Sequence, residues 1–484
     1  MRSATVTVVG AGAAGLYTAL CAARAERAGA RVILVSATPL AETSSYWAQG
    51  GLAAALAEDD SSERHLQDTI RAGRGAVKES AARILCEEAP RAVEDLMRLG
   101  VTFDADRHGR LALGLEGGHS ARRIVHAGGA ATGRRLIRQL SALVAEHPGI
   151  EVLEARRATE ILTTSQRAWG IRIDDGTTIA SGATVIATGG AAALWSRTTN
   201  PPGAVGAGLS LAHHAGAALA DLELMQFHPT AVVASDGANG FLVTEAVRGE
   251  GARLLDASGN RFVDELAPRD EVARAVQQQM ALTGAGSVAL DMRDVDPALF
   301  PNVVSALRRA GIDPERELVP VAPAAHYMMG GVATDLDGRT TLAGLYAVGE
   351  CSCTGLHGAN RLASNSLTEC FVFGARVARA ALQEPAPTAE PDRADIDPAP
   401  LAPPPPSSRR ALWECAGLER DADGLRRLAG DPHVLVRLIA SAALARTESR
   451  GAHQRRDFPA RDPALDGRHV VLGPASEARL ERWE

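Results

Sequence analysis

The sequence predicts an α/β fold that is interrupted by an inserted α+β domain and followed by a C-terminal helical domain. A β-branched run, a glycine turn and a helical stretch follow one another over residues 4–27, and a second strand over 31–35 completes a βαβ unit. A buried strand that begins at Ala183 also ends in glycines, and the run 345–348 repeats that pattern. Residues 222–335 mix short strands, a turn over 226–230 and helix starts between these runs, so two parts of one sheet flank the insertion.

The first turn of the βαβ unit carries the pattern G-x-G-x-x-G. Gly10, Gly12 and Gly15 come directly after the strand and open the helix. In this context the glycines permit a tight turn, the approach of a pyrophosphate and close packing of helix on strand. The unit is therefore Rossmann-like and predicts dinucleotide binding. The acidic residue expected at the end of the second strand is replaced by Ser36, which can still donate or accept one hydrogen bond.

Composition and charge exclude several classes of protein. The 484 residues carry a net charge of −7, with 46% hydrophobic and 23% charged residues, which is ordinary for two or three domains. Mild acidity without a long basic run argues against nucleic acid or an anionic membrane as a partner. We find no signal segment and no apolar run of about 18 residues, so we expect a soluble, cytoplasmic protein. The six scattered cysteines predict reduced thiols and neither a zinc site nor disulfides.

Three polar, glycine-rich segments are candidates for ligand contact. The alternatives are a surface loop for residues 43–51 and a solvated basic turn for residues 115–126. In the third, residues 344–367, Arg361 is the only positive side chain, and its planar guanidinium suits a carboxylate or a phosphate. A glycine-rich loop with a structural arginine would show the same pattern. We expect Ser364 and its two neighbours to cap the helix that follows.

Ordered motifs at compatible spacing run through the whole chain. They lie at residues 10–15, 48–51, 116–120, 226–230, 244–248, 268–270, 326–331, 357–366 and 448–453. On these motifs the chain resembles the flavoprotein family of succinate dehydrogenase and fumarate reductase. The resemblance implies a Rossmann-like FAD-binding domain interrupted by a mobile α+β capping domain, with a C-terminal helical domain.

The resemblance also implies the domain boundaries. The FAD-binding domain takes residues 1–222 and 337–386, and the capping domain takes residues 223–336. A Pro-rich linker, residues 387–408, leads to the helical domain, residues 409–484.

Two positions select the expected chemistry within this family. Ser44 stands where membrane-bound members carry the histidine that attaches FAD covalently, so non-covalent FAD is expected. Glu116 stands where the dicarboxylate enzymes commonly carry an aromatic residue. A carboxylate repels a dianion and attracts an ammonium group, so Glu116 favours an amino-dicarboxylate, L-aspartate. The alternative is a soluble fumarate reductase or succinate-oxidising flavoprotein, which would share the carboxylate-binding residues.

The resemblance assigns the substrate contacts. Arg361 and His326 would hold one carboxylate, His228 and Thr244 would hold the other, and Glu116 would face the amine. The expected reaction is oxidation of L-aspartate to iminoaspartate, with either O2 (giving H2O2) or fumarate (giving succinate) as electron acceptor. This is the first step of NAD biosynthesis through quinolinate, so quinolinate synthase is an expected partner.

The resemblance also assigns proton transfer. Arg269 matches the family's catalytic arginine, and Glu245 and Arg248 match its proton relay. Because an arginine is a poor base, clamping the substrate is an equally open role for Arg269.

The residues expected to contact FAD fall in the glycine-rich segments and at strand ends. They are Gly10, Gly12, Ala14, Gly15, Ser36, Ser44, Ser45, Ala48, Gln49, Gly50, Gly51, Thr188, Gly189, Glu350, Asn360, Ser364, Ser366 and Leu367. No set of metal ligands is predicted.

Overall fold

The structure, a computed structural model, describes residues 2–25, 30–40, 43–164, 167–234, 240–385 and 403–484. Residues 387–402 of the predicted linker, residues 387–408, lie outside these ranges.

Helices and strands alternate through the described residues. The helices are α1 (Ala13–Arg24), α2 (Ser62–Ala72), α3 (Glu79–Arg98), α4 (Thr132–Glu146), α5 (Ala207–His214), α6 (Glu245–Gly249), α7 (Arg269–Thr283), α8 (Pro301–Arg309), α9 (Asn365–Ala381), α10 (Pro406–Cys415), α11 (Ala422–Leu428) and α12 (Val434–Ala445). Short 3₁₀ helices cover Ser44–Trp47, Ala192–Leu194, Pro297–Leu299, Gly349–Cys351 and Pro463–Leu465.

The strands are β1 (Arg2–Val9), β2 (Val32–Val35), β3 (Leu52–Ala53), β4 (Leu113–Gly114), β5 (Ile124–Val125), β6 (Ile150–Leu153), β7 (Ala158–Thr163), β8 (Ala168–Ile173), β9 (Thr178–Ile186), β10 (Leu219–Ala220), β11 (Met225–Val232), β12 (Arg253–Leu255), β13 (Val288–Asp291), β14 (Val319–Met328), β15 (Gly331–Ala333), β16 (Leu345–Ala347), β17 (Ser352–Cys353), β18 (Arg468–Leu472) and β19 (Ala478–Arg482).

A seven-stranded sheet forms the first domain, in the order β6-β2-β1-β9-β8-β7, with β16 also paired to β9. β1 pairs in parallel with β2 and β9, and β16 pairs in parallel with β9. Helices α1 and α9 pack on one another beside this sheet, where the rings of Tyr17 and Phe371 meet edge-on at 5.2 Å. Because β16 rejoins the sheet after the inserted segment, the nucleotide-binding fold is split. The predicted fold class is confirmed.

The inserted segment carries an antiparallel sheet of its own, in the order β11-β14-β13-β12. The predicted turn over residues 226–230 is wrong, because these residues lie inside β11. All residues of β11 are buried, so no alternation of polar and apolar residues marks the strand in the sequence. Pro229 suggested a turn, but it lies where the pairing register shifts between His228 and Ala231, a position that tolerates a missing N–H donor.

The C-terminal segment contains the predicted helices, α10 to α12, and also a hairpin that the sequence analysis did not predict. Strands β18 and β19 pair antiparallel, and β18 continues a sheet through β10, β15 and β17. This sheet takes strands from all three predicted domains, so the exact domain boundaries stay a proposal. No helix in the described ranges is long and apolar enough to span a bilayer.

Candidate active site

The glycine turn after β1 is closed tightly against β9 and against the segment after β2. A Cβ at Gly10, whose φ is +110°, would lie 2.3 Å from the carbonyl oxygen of Ala187, so only glycine fits. Ala13 donates its backbone N–H to Oγ of Ser45 at 3.1 Å, and a Cβ at Gly12 would lie 3.2 Å from the same oxygen. Ser45 therefore lies at the N-terminus of α1, where N–H groups without helical partners favour an anion.

Buried polar groups surround this turn. Among the described residues, Oε1 of Gln49 and Oγ1 of Thr188 are buried without a hydrogen-bond partner, although Nε2 of Gln49 donates to the carbonyl of Leu242 at 2.8 Å. Oε1 of Glu350 accepts the backbone N–H of Met328 at 3.1 Å, and burial raises the pKa of Glu350 to about 7. Because buried polar atoms are seldom left unpaired, these groups indicate a ligand site at the tips of β1, β9 and β16.

The other residues predicted to contact the cofactor lie at the ends of elements. Ala14 and Gly15 lie in the first turn of α1, and Ser366 lies in the first turn of α9. Ser44 begins the first 3₁₀ helix and Ala48 follows it. Gly50 and Gly51 precede β3, Gly189 follows β9, and Asn360 precedes α9. Their contact with a cofactor stays a prediction.

Two predicted cofactor residues use their side chains within the protein. Oγ of Ser36 donates to the carbonyl of Thr38 at 2.6 Å, which leaves this hydroxyl only as an acceptor. Leu367 packs in the core that it shares with α1 and α3. Only the backbone of Leu367 is therefore free to meet a ligand, and both contacts stay predictions.

Glu116 is buried and bonded to the residue that begins α9. Oγ of Ser364 donates to Oε2 of Glu116 at 2.7 Å. Ser364 occupies the N-cap position with φ +60°, but its side chain makes no capping bond, so the predicted cap is wrong. A Cβ at Gly50 would lie 3.3 Å from this hydroxyl and 3.8 Å from Oε1 of Glu116. The structure therefore brings the predicted amine-binding residue beside a predicted cofactor loop.

Arg269, Glu245 and Arg248 form a line of buried charges. Nε of Arg269 donates to Oε2 of Glu245 at 2.5 Å, and Nη2 of Arg248 lies 3.5 Å from Oε1 of the same carboxylate. Burial alone raises the pKa of Glu245, but the charges of Arg269 and Arg248 outweigh it and the pKa is lowered. Glu245 is therefore ionised and holds Arg269 in place.

Arg361 is a buried cation to which no carboxylate of the described residues is bonded. Its guanidinium lies 4.8 Å from the ring centre of Tyr327, and its Nε has no hydrogen-bond partner among the described residues. Tyr327 is fixed by donating to Oε2 of Glu369 at 2.8 Å. Burial, together with the charge of Arg269, lowers the pKa of Arg361 to about 10. An anionic ligand would supply the missing counter-charge.

His228 and His326 face one another with ring centres 5.1 Å apart. Burial, together with the charge of Arg269, holds the pKa of both histidines well below its usual range, so both rings are neutral at pH 7. Nδ1 of His326 is hydrogen-bonded to Thr199 at 2.8 Å, while Nε2 of His228 is buried without a partner in the described structure. Thr244 is buried at the N-cap of α6. Neutral donors and acceptors are therefore placed beside the arginines.

The charges of this cluster do not cancel. Its three arginines are buried opposite two carboxylates, Glu116 and Glu245, and its two histidines are neutral. By formal charge, these three arginines and two carboxylates leave one positive charge in excess, with Glu350 counted as part of the ligand site at the glycine turn. A ligand with a net charge of −1 would neutralise the cluster, whereas a dianion would reverse the imbalance.

Gln226 joins two parts of the site and was given no role in the sequence analysis. It accepts from Nη1 of Arg269 at 3.2 Å, and its Nε2 donates to Oδ1 of Asn360 at 2.9 Å and to the carbonyl of Arg361 at 2.8 Å. The places of Gln226 and Tyr327 in the motifs at 226–230 and 326–331 were the available signals. Thr199 gave none, because its contact with His326 depends on the tertiary fold.

Comparisons with known proteins agree with this geometry. A family profile described as "FAD binding domain" matches residues 5–367, and one described as "Fumarate reductase flavoprotein C-term" matches residues 433–481. The L-aspartate oxidase of Caulobacter vibrioides is 46% identical, with 97% of this chain and 98% of the relative covered. That of Streptomyces coelicolor is 43% identical, with 97% and 91% covered.

The chain belongs to the L-aspartate oxidase family of FAD-binding proteins.

Solved structures support the same placement. A quinol-fumarate reductase with menaquinol molecules superposes with a TM-score of 0.90 at 28% identity, covering 100% of this chain and 98% of that chain. The L-aspartate oxidase family and the fumarate reductase thus share the fold described above.

FAD, the cofactor of the L-aspartate oxidase family, fits the residues at the glycine turn. The N-terminus of α1 suits the pyrophosphate, and Gly10 lets the backbone approach it. The unpartnered oxygens of Gln49 and Thr188 supply acceptors for the donor groups of a nucleotide or flavin. Which residues touch FAD stays a prediction.

We expect the melting temperature of the holoenzyme to fall as the pH falls from 6.5 to 5. Burial lowers the pKa of His65 to about 3 and, with nearby charges, holds the pKa of His228 and His326 well below 6.5. In this window the unfolded chain binds protons that these native histidines do not. Each histidine therefore lowers the free energy of unfolding by about 1.4 kcal/mol for every unit by which the pH falls. Burial raises the pKa of Glu223 and Glu350 to about 7. These two carboxyl groups bind protons in the native protein first, so they raise the free energy of unfolding as the pH falls.

Differential scanning calorimetry on the parent and on His65→Asn separates the contribution of a buried histidine from that of the buried carboxyl groups. The variant should show a shallower dependence of melting temperature on pH over this window, because one such histidine is gone. Identical slopes for the two proteins would contradict the assignment.

Proposed function

We propose that this protein oxidises L-aspartate to iminoaspartate with bound FAD, as the first step of NAD biosynthesis through quinolinate. The observation that carries the proposal is the charge of the buried cluster, one positive charge in excess with the Glu116 carboxylate among the arginines. L-Aspartate has two carboxylates and one ammonium group, so its net charge of −1 and its charge pattern both match. Succinate and fumarate, which are dianions, match less well.

Each polar group of L-aspartate has a complement in the cluster. One carboxylate is held by Arg361 and His326, the other by His228 and Thr244, and the ammonium group faces Glu116. Fixing all three groups leaves the substrate Cα in one orientation, which supplies much of the rate. FAD, when bound, accepts the hydride that leaves Cα. The protein's own residues orient the substrate and exclude water, and the Glu116 carboxylate, which faces the ammonium group, accepts the proton that the nitrogen loses.

The electrons leave to O2, giving H2O2, or to fumarate, giving succinate. Fumarate carries the same two carboxylates as L-aspartate, so the same arginine and histidines would hold it. Ser44 offers no imidazole for a covalent link, which supports non-covalent FAD. All six cysteines are free thiols, four of them buried, which supports a reducing compartment such as the cytoplasm. The imine product is labile, so direct use by a quinolinate synthase is proposed.

The proposal is tested by anaerobic reduction of the purified holoenzyme, followed at the flavin absorbance. L-Aspartate should bleach the flavin, and D-aspartate and succinate should not. Bleaching by succinate without bleaching by L-aspartate would overturn the proposal and favour a succinate-oxidising flavoprotein.

Glu116→Gln should lower kcat/KM for L-aspartate by about 10- to 100-fold, because a hydrogen bond to a charged group is lost from a buried site. The amide keeps an oxygen that can accept from Ser364, so the local fold should persist. The Kd of succinate, measured by flavin difference spectra, should stay constant or fall. Glu94→Gln, in an exposed pair with Arg98, is the matched control and should change neither value. Equal losses for L-aspartate and succinate would show that Glu116 does not face the amine.

A further inference from the structure

The first turn of α7 carries Arg269, and an ion pair outside the charge cluster ties this turn to the FAD-binding domain. Arg74 donates from Nε and Nη2 to the two oxygens of Asp270, each at 3.0 Å, and from Nη2 to Glu271 at 2.5 Å. Asp270 is 7% exposed. A bidentate, largely buried pair holds its geometry better than an ordinary surface ion pair.

The backbone of Arg74 is itself held by a hydrogen bond from the C-terminal segment. It lies between α2 and α3 with a φ of +57°, a conformation that side chains rarely adopt. Its carbonyl accepts from Nη1 of Arg450 at 2.6 Å, and Arg450 is fixed by two bonds to Glu448, at 2.7 and 2.9 Å. Arg74 is therefore a rigid anchor and not a mobile surface side chain.

A second contact joins the same turn to the C-terminal segment. Nε of Arg274 donates to the carbonyl of Asp270 at 3.3 Å, and its Nη1 donates to Oε1 of Gln454 at 3.3 Å. Both contacts reach α7 from outside the inserted segment. The contact of Arg74 ends on Asp270, the residue that follows Arg269, and the contact of Gln454 ends on Arg274, about one turn further along α7.

We propose that Arg74 and Asp270 are positioning residues, which hold Arg269 in the active site by fixing the first turn of α7 to the FAD-binding domain. Arg269 reaches Glu245 and Gln226 from this turn, so a displacement of α7 moves its guanidinium relative to the substrate. The inference rests on the proposed function only for the identity of the substrate.

The test compares Arg74→Gln, Asp270→Asn and the double variant with the parent, all as holoenzymes. Each single variant should lower kcat for L-aspartate by about 10- to 100-fold, since misplacement by about 1 Å costs that much, while FAD content stays at the parent level. The double variant should be no slower than the slower single variant, because both remove the same pair. Arg74→Lys should be intermediate, since an ammonium group cannot bind both oxygens in parallel.

A second readout does not depend on the substrate. Amide hydrogen exchange in peptides covering residues 269–283 should be faster in Arg74→Gln than in the parent, with no ligand added. Arg83→Gln is the matched control, because Arg83 forms exposed pairs with Glu63 and Glu79 at 3.1 and 2.7 Å. It should leave kcat and exchange in α7 unchanged.

Three results would overturn the positioning role. They are parental kcat and exchange in Arg74→Gln, losses that multiply in the double variant, and a lower melting temperature without a change in kcat. Failure of the parent to be reduced by L-aspartate would instead overturn the proposed function, and the exchange experiment would still decide the role of Arg74.

Discussion

Replacing Arg361 with lysine should lower kcat/KM for L-aspartate by about 10- to 150-fold, because lysine keeps the charge but loses one of two parallel hydrogen bonds to a carboxylate. A hydrogen bond to a charged group contributes about 1.5 to 3 kcal/mol, and each 1.36 kcal/mol is tenfold. A lysine ammonium cannot bond a carboxylate through two parallel N–H groups from a position over the ring of Tyr327, as the guanidinium of Arg361 can. The rate of anaerobic flavin reduction against L-aspartate concentration gives the value.

The same substitution should raise the Kd of succinate by a similar factor. Arg361 is proposed to bind a carboxylate, which L-aspartate and succinate share, so its replacement should weaken the binding of both ligands. Replacement of Glu116 should weaken the binding of L-aspartate alone, because only L-aspartate carries an amine. Arg455→Lys is a matched control, because Arg455 is buried and lies 5.0 Å from the ring centre of Phe458. It should lower the melting temperature and leave both ligand affinities unchanged. Parental affinity for both ligands in Arg361→Lys would remove Arg361 from the site.

The parts of the site that the sequence predicts are those with a local signature. The turn from Gly10 to Gly15 is recognisable because glycine is required by contacts made within one βαβ unit. The motif residues Glu116, Arg269 and Arg361 could be found for a related reason, since each stands in a short pattern shared with the family. Their meeting in one buried cluster needed only that the motifs be placed on the predicted fold.

The parts that the sequence could not predict depend on contacts between distant positions. Arg74 and Asp270 are 196 positions apart, and nothing in the segment around Arg74 distinguishes its charge from a solvated one. Ser364 looked like a helix cap because of its type and place, but Glu116 competes for its hydroxyl. In β11, burial on both faces hid the strand, and in β18 and β19 the preceding helices suggested that the helical pattern continued.

Arg269→Gln should raise the Kd of succinate by about 30-fold or more and lower kcat/KM for L-aspartate at least as much, as expected for a cation that clamps the substrate. Nε of Arg269 is used by Glu245 and one N–H of Nη1 by Gln226, so up to three of its five N–H groups remain for a ligand. A guanidinium held against an ionised carboxylate is a poor proton acceptor. A fall in kcat with an unchanged Kd of succinate would contradict the clamp and favour proton transfer.

Melting temperatures distinguish a role of Arg269 in substrate binding from a role in stabilising the fold. Among the described residues, Arg269→Gln leaves the buried Glu245 with one ion-pair partner, Arg248 at 3.5 Å, so the melting temperature should fall. Breaking a buried pair from one side costs about 3 to 5 kcal/mol, whereas removing both charges costs much less. The double variant Arg269→Gln/Glu245→Gln should therefore regain part of the lost melting temperature, since Arg248 keeps its bond to the carbonyl of Glu265, while its affinity for succinate stays low. If affinity returned together with stability, Arg269 would serve the fold of α6 and α7 and not the substrate.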